Sequence, residues 1–532
     1  MMHKIIDRLH DKSEAWAVML MLVPILFAFR QLLLPGKLLL YPGCDGPFYF
    51  YPMTVTGMAQ WRQGIIPLWT NLVHCGFPLL ADGQGALLYP LNLVAFLICP
   101  APVANNMVIV FQILLSAILM YVFVRHICVR CWAAIFAGWI WTVCGPVMAS
   151  MGSPALNGLI WWPLWFLSAD LIVKKNDWRM VAVAGLTMGF AWLGGFPQTT
   201  FYGAFGASVY LVFRALSHNW KHWKSCITPI VSWGIAGLLG LGIGAIQILP
   251  TMEMSVFSIR AKGADYALNT LGSMFPAGLA GFILPSWGAL SEFQLAGSNL
   301  YLGLICLAAA TITIRRKKIG AFVIFLWIMA ATGCFLSFGK FNPCFKIVSL
   351  IPGFNFFRYP YRFTYWTIFA LSILASIGFE RIFASIYSNS QVIKKMLVRI
   401  SILAAITFGV AVGGTFIFNA KKEIVLEKIR NYTYGNVMGG KYKEQHLEYY
   451  QEKIERMVTA IATALDPLNK DILPSIIFAL CAIAVLVFAI LYPRQKFKAI
   501  ILLCLIAAAN IWKYFGIVNI VPVPDFSKPP MA

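Results

Sequence analysis

About thirteen apolar runs, each close to the roughly 20 residues a helix needs to cross a bilayer, constrain this chain more than any other feature. They fall near 16–34, 103–124, 132–150, 157–173, 180–195, 198–214, 227–249, 298–314, 320–338, 364–383, 400–418, 473–492 and 499–517. A lipid interior offers the backbone no hydrogen-bond partners, so segments of this kind fold as helices. Composition agrees: 60% of the 532 residues are hydrophobic and 12% are charged, against about 25% charged in an average soluble domain. The expected fold is an all-α polytopic membrane protein.

Lys and Arg orient it. With the N-terminus (Lys4, Arg8, Lys12) inside and the spans alternating, every inside loop is basic. These loops hold Arg125 and Arg130; Lys174, Lys175 and Arg179; Arg214, Lys221 and Lys224; residues 315–318; Arg381, Lys394, Lys395 and Arg399; and Arg494, Lys496 and Lys498. Cytoplasmic loops carry such an excess, which also accounts for much of the net charge of +22 without nucleic acid as a partner. The same alternation puts the C-terminus outside, where the Pro-rich ending VPVPDFSKPPMA reads as the entry to a further segment.

The stretch Tyr41–Pro90 is then an outer loop, part of an extracytoplasmic segment 35–101, and too long for a plain connector. It holds Trp61, Trp69, several tyrosines and two carboxylates, Asp45 and Asp82. Tyr51–Gly64 and Gln84–Phe96 read as interfacial helices lying on the membrane. Asp45 follows the first span, so it belongs near the membrane surface. It either contacts a substrate or serves the Cys-Asp-Gly-Pro turn, for which Asp is well suited. Cys44 and Cys75 share the loop and could pair in an oxidising compartment. The twelve cysteines otherwise sit mostly in spans and show no zinc-type spacing.

Four other places carry polar chemistry. Trp192-Leu-Gly-Gly-Phe-Pro-Gln198 breaks a helix pair at its outer end; it is a cavity wall with Gln198 as hydrogen-bonding amide, or a tight hairpin. Gln247-Ile-Leu-Pro-Thr-Met-Glu253 ends the seventh span, and Glu253 and Arg260, seven apart, share a face if the helix continues. Arg358 and Arg362 flank Tyr-Pro-Tyr; the arginine fork suits a lipid phosphate, and interfacial anchoring is the plainer role. Residues 420–472 are polar and helical in spacing, read as two helices with a solvated face.

In order along the chain stand Asp45-Gly-Pro-Phe-Tyr-Phe-Tyr-Pro52, Gly64-x-x-Pro-Leu-Trp69, Gly76-Phe-Pro-Leu-Leu, Gln84 with Tyr89-Pro-Leu-Asn92, Gly194-Gly-Phe-Pro-Gln198, Gln247-x-x-Pro250 with Glu253, Ser258 and Arg260, Tyr301-x-Gly303, and Phe357-Arg-Tyr-Pro-Tyr-Arg362. This ordered set resembles the YfhO-like family of bacterial membrane proteins, within the GT-C glycosyltransferase superfamily. The resemblance covers 45 to about 380; hydropathy alone covers the rest. It implies a GT-C-like transmembrane catalytic module over 1–390, and hydropathy reads 391–532 as C-terminal transmembrane helices with the polar helical segment 420–472 on the extracytoplasmic side. The resemblance also implies a multi-pass protein of the bacterial cell membrane that moves a sugar from a polyprenyl-phosphate carrier to an envelope polymer or lipid on the outer face. Asp45 sits where such enzymes keep their catalytic carboxylate.

The residue chemistry suits that reaction. An acceptor hydroxyl needs a base, which Asp45 could be, and a phosphate leaving group needs fixed cations, for which Arg358, Arg362 and Arg260 are the candidates. Gln84, Gln198 and Gln247 suit sugar hydroxyls. Glu253 could orient the acceptor, balance an arginine or help hold a divalent cation, which the sequence does not demand. Two other classes remain open: a transporter or flippase of lipid-linked sugars, and a non-catalytic assembly protein of the envelope. Against transport, no internal repeat is visible and the carboxylates read as gathered on the outer side.

Overall fold

The computed structural model describes residues 12–33, 37–39, 45–73, 75–127, 129–218, 223–258, 265–287, 290, 300–314, 320–385, 391–438, 447–513 and 520–522. Helices of eight residues or more are numbered in chain order. The first, α1 (Lys12–Ala28), leads into strand β1 (Lys37–Leu39) and the outer-loop helices α2 (Tyr51–Arg62) and α3 (Pro90–Ile98). Next come α4 (Ala101–His126), α5 (Cys131–Val143), α6 (Trp162–Lys175), α7 (Trp178–Leu193), α8 (Pro197–His218) and α9 (Ile227–Ser255). They are followed by α10 (Leu304–Ile312), α11 (Ala321–Ser337), α12 (Thr364–Ala384) and α13 (Gln391–Ala420). The chain ends with α14 (Lys422–Met438), α15 (Leu447–Leu465), α16 (Ile472–Leu491), α17 (Lys496–Lys513) and strand β2 (Ile520–Pro522). Among the described residues, seven helical segments are long and apolar enough to cross a membrane, and α5, α7 and α11 are shorter apolar helices. The protein is an all-α polytopic membrane protein; among the described residues a small sheet pairs β1 with β2 antiparallel.

Each expected span coincides with a helix, and cross-contacts show successive ones reversing direction. At one end, Glu14 of α1 meets Arg125 of α4, Arg130 before α5 meets Glu380 of α12, and Arg381 donates to Ile312 O of α10 (2.9 Å). At the other end, Gln247 of α9 reaches Leu80 O in the first loop, and Lys513 of α17 reaches Lys470 O before α16. We call these the basic end and the loop end. The centre is aromatic. Trp162, Trp165 and Phe166 of α6 are at most 1% exposed, and Phe166 lies 4.6 Å from Phe369 of α12. By contrast α9 and α13 leave most of their apolar surface on the outside of the bundle.

Three expected spans differ in detail. The run 132–150 breaks at extended Cys144, before Gly145-Pro146, into α5 and a short turn of helix. The run 157–173 is a short turn over Ala155–Leu159 followed by α6, which starts with Pro163 in its first turn. Of the described residues 300–314, the helix is α10 (Leu304–Ile312); Tyr301 stays outside it and donates to Ser475 Oγ on α16 (2.8 Å). The expectation that carboxylates gather at the outer side also needs correction. Glu14 and Asp170 are buried at the basic end, where Asp170 is held by His126, Lys174, Tyr210 and Arg214 at 2.5–3.1 Å. Hydropathy gives no hint of such pairing, since the partners are 40 or more residues away except Lys174. The polar segment is two helices as expected, α14 and α15, and the Gly-containing turn between them lies outside the described residues, as does most of the Pro-rich ending.

Helices α10 and α12 touch through Gly378: a Cβ there would stand 1.9 Å from Ala309 O. Gly378→Ala should therefore destabilise the detergent-solubilised protein by about 1–3 kcal/mol, the usual cost of overpacking. Gly409→Ala on α13, where a Cβ meets nothing within 4 Å, is the control expected to melt like wild type in a thermal unfolding assay.

Candidate functional site

The first loop is a folded cap. Met53, Met58, Leu79, Leu80, Leu87, Phe96 and Ala104 form a hydrophobic cluster of their own. Gly46–Phe50 wind as a π-helical turn directly before α2, and Asp45 sits at its start. The Asp45 carbonyl accepts from Tyr49 N (2.7 Å) and Phe50 N (3.1 Å), leaving its side chain exposed and without a capping bond. The turn uses only the Asp45 backbone carbonyl, so the side-chain hydrogen bonding for which aspartate suits a turn is not formed here.

One turn later, Tyr49 donates its hydroxyl to Asp82 Oδ1 (2.9 Å). Asp82 also accepts from Gln84 N (3.1 Å) and Gln84 Nε2 (3.3 Å). The Asp82 carboxyl is pushed up by burial, against which the Tyr49 and Gln84 donors pull down. The Tyr49 phenol is raised well above its ordinary range by burial first, then by Asp82 and Asp45. Tyr49, Asp82 and Gln84 thus form one polar group, joined through Tyr49 to the turn that Asp45 starts.

That group is tied to the bundle. Gln247 Nε2 donates to Leu80 O (2.8 Å) and to Thr251 Oγ1 (3.0 Å), and Thr251 donates to Ala81 O (2.8 Å). From the other side comes the turn between α7 and α8. Gly195 has φ +78°, and a Cβ on it would lie 2.1 Å from Gly83 O, so only glycine allows the approach. Two residues beyond that glycine, Pro197 and Gln198 open α8.

Gln198 is 3% exposed. It accepts from Arg362 Nη1 (2.5 Å) and donates to Arg358 O (2.8 Å) and to Tyr202 Oη (3.1 Å). Arg362 lies over Phe196 (4.7 Å to the ring centre) and Tyr359 (4.9 Å); Arg358 lies over Tyr359 from its own position (4.8 Å). Aromatic faces attract such cations. Tyr359 takes a left-handed backbone, φ +65°, a strain of about 1–3 kcal/mol that such sites commonly hold. Its N–H donates to Leu271 O (2.8 Å), and Pro360 follows. The result is two guanidinium groups held part-buried at the loop end, beside the turn that carries Gly195.

Several sequence candidates converge here: Gln198 with Arg358 and Arg362 directly, and Asp45 with Gln84 through Tyr49 and Asp82. Gln247 is in the same region, with its amide nitrogen engaged on the loop backbone and its Oε1 buried without a partner among the described residues. Glu253 is exposed near the end of α9; its carbonyl accepts from Val256 N (3.3 Å), and its side chain makes no hydrogen bond or ion pair among the described residues. Arg260 and Cys44 lie outside them; Cys75 is exposed. Among the described residues no three His, Cys, Asp or Glu side chains gather as a metal site. Asp82 was visible in the sequence only as the loop's second carboxylate, and Tyr49 as one aromatic among many. An i,i+4 reading from Asp45 to Tyr49 would have found the second.

No family model matches the chain, so the YfhO-like resemblance rests on its motifs. No curated protein matches it either. Among solved structures the chain is similar to the crystal structure of ArnT from Cupriavidus metallidurans bound to undecaprenyl phosphate. The two are 14% identical with a TM-score of 0.48, over 95% of this chain and 76% of that one.

The Asp82 carboxyl is raised in the folded state, so its neutral form favours folding and that contribution fades as pH climbs through the folded value. Asp82→Asn removes the ionisation. Relative to wild type, the melting temperature of Asp82→Asn should therefore rise between pH 4 and pH 8, as read by fluorescence-detected unfolding; a pH-independent gap would show that the carboxyl is not perturbed.

Proposed function

We propose that the chain is a GT-C-type membrane glycosyltransferase. It would move a sugar from a polyprenyl-phosphate carrier to an envelope glycopolymer or lipid at the outer face of a bacterial cell membrane, with the loop end outside. The observation that carries this reading is the run of contacts from the turn that Asp45 starts, through Tyr49, Asp82 and the Gly83–Gly195 approach, to Gln198, which bonds the Arg362 guanidinium and the Arg358 carbonyl. A base and a pair of cations at the same end of the bundle are what a sugar transfer from a phosphate carrier needs.

In this scheme the lipid phosphate of the donor rests against Arg358 and Arg362. Gln198 holds Arg362 in place from below, and the aromatic rings limit its swing. As the bond from the anomeric carbon to the phosphate oxygen breaks, the growing negative charge stays on that phosphate, where the guanidinium groups meet it. Asp45 takes the proton from the acceptor hydroxyl as its oxygen bonds to the anomeric carbon. Asp82 and Tyr49 position the turn that carries Asp45. No step is routed through a divalent cation, and membrane lipids are the surrounding solvent of the carrier chain.

The test is release of free polyprenyl phosphate by proteoliposomes given a polyprenyl-phosphoryl sugar and acceptor. Asp45→Asn should cut the rate by about 100-fold or more, the usual scale for a general base. Arg358→Ala and Arg362→Ala should each weaken binding of bare polyprenyl phosphate about tenfold, as expected for a lost charge-assisted bond. Sugar translocation without release of polyprenyl phosphate would favour a transporter instead. Full activity in all three variants would leave a non-catalytic assembly role.

A further inference from the structure

Behind the Asp45 turn lies a cleft that the catalytic scheme does not use. It offers ≈ 50 Å³ to the centres of water-sized spheres, room for about three to five waters at roughly 10–15 Å³ each. Five carboxamides line it: Gln84 and Asn92 from the first loop, Asn105 and Gln112 from α4, and Asn157 from the short helix before α6. Tyr51 and Phe96 supply aromatic walls, and no charged side chain among the described residues takes part.

The carboxamides are not equivalent. Gln112 Nε2 donates to Asn157 Oδ1 (2.6 Å), Asn157 Nδ2 donates to Gly194 O (2.8 Å), and Asn92 Nδ2 donates to Ala86 O (3.2 Å). These bonds lock three of the amides to the scaffold. Asn106 is likewise spent, on Leu32 O, Lys37 O and Leu39 N. Its neighbour Asn105 differs: its Nδ2 is buried and has no hydrogen-bond partner among the described residues. Buried amide donors are almost always paired, so an unpaired one on a residue that lines the cleft points to a ligand. Gln84 and Asn105 are part-exposed, so the cleft is open at that side.

A carboxamide both donates and accepts, as a sugar hydroxyl does. A row of them between aromatic faces, without a fixed charge, matches a neutral polyhydroxylated ring. An ionised ring would lose its hydration there with nothing to compensate it. Gln84 also donates to Asp82, so the cleft joins the group that positions Asp45. We propose that this cleft binds a neutral sugar ring, with Asn105 as its principal hydrogen-bond donor. This inference rests on the glycosyltransferase reading and deepens it. The ring can belong to the lipid-phosphate donor or to a glycolipid acceptor, since both offer the same hydroxyls.

The experiment measures binding to the full chain in nanodiscs. In the donor arm the probes are undecaprenyl phosphate, its β-glucosyl form and its β-glucuronyl form. In the acceptor arm they are diacylglycerol and diglucosyl diacylglycerol. Wild type should hold the glucosylated probe about tenfold tighter than its bare partner in one of the two arms, as a site with unpaired polar groups discriminates. The glucuronyl probe should show no such gain. Asn105→Ala, and Asn105→Asp as an isosteric second variant, should shrink the gain to within about twofold, leave affinity for undecaprenyl phosphate unchanged, and melt like wild type. The arm in which the gain appears assigns the ring to donor or acceptor. Absence of a gain in both arms, or a gain that survives both substitutions, would overturn the inference. If undecaprenyl phosphate itself does not bind, the glycosyltransferase reading fails instead, and the acceptor arm still decides the cleft.

Discussion

The docking of the first loop onto the helix ends is the contact on which the site depends. A loop of this kind carries many backbone carbonyls with no strand or helix to satisfy them, and buried carbonyls need partners. Gln247 and Thr251, one turn apart on α9, meet the carbonyls of Leu80 and Ala81. The α7–α8 turn closes against Gly83 from the other side. Once those carbonyls are held, Asp82 has a fixed address, Tyr49 has something to donate to, and the turn carrying Asp45 acquires an orientation. Without this docking the loop would keep its hydrophobic cluster and lose its register on the bundle.

The arginine pair is built on a different principle. Between Arg358 and Arg362, Pro360 opens a 3-10 turn that leads into α12, and Tyr359 before it sits in a backbone region that side chains avoid. The strain is held by the Tyr359 N–H on Leu271 O and the Tyr361 N–H on Gly272 O. Gln198 then answers both arginines with one amide group, its oxygen to a guanidinium and its nitrogen to a carbonyl. Desolvated cations cost free energy unless met by acceptors and aromatic faces, and here each has at least one.

At the basic end the same physics encloses a carboxylate completely. Asp170 is fully buried, yet His126, Lys174, Tyr210 and Arg214 surround it. A lone carboxylate there would carry a desolvation penalty of several kcal/mol; saturated, it locks α4, α6 and α8 together. The two ends therefore use carboxylates in opposite ways, one enclosed by cations and one, Asp45, left facing solvent.

Hydropathy and basic-loop alternation were enough to place the helices and their up-and-down order, because span length and periodicity are local properties. The Gln198, Arg358 and Arg362 candidates were also legible, as polar side chains at broken helix ends advertise themselves. Their union across 164 residues was not. Nor was the engagement of Gln247 with the loop backbone 167 residues earlier, the link from Tyr49 to Asp82, or the carboxamide cleft around Asn105. An amide side chain reads the same in a sequence whether it serves a carbonyl or awaits a ligand. Only the packing of the loop on the helices, with its distances and burial, distinguishes those two uses.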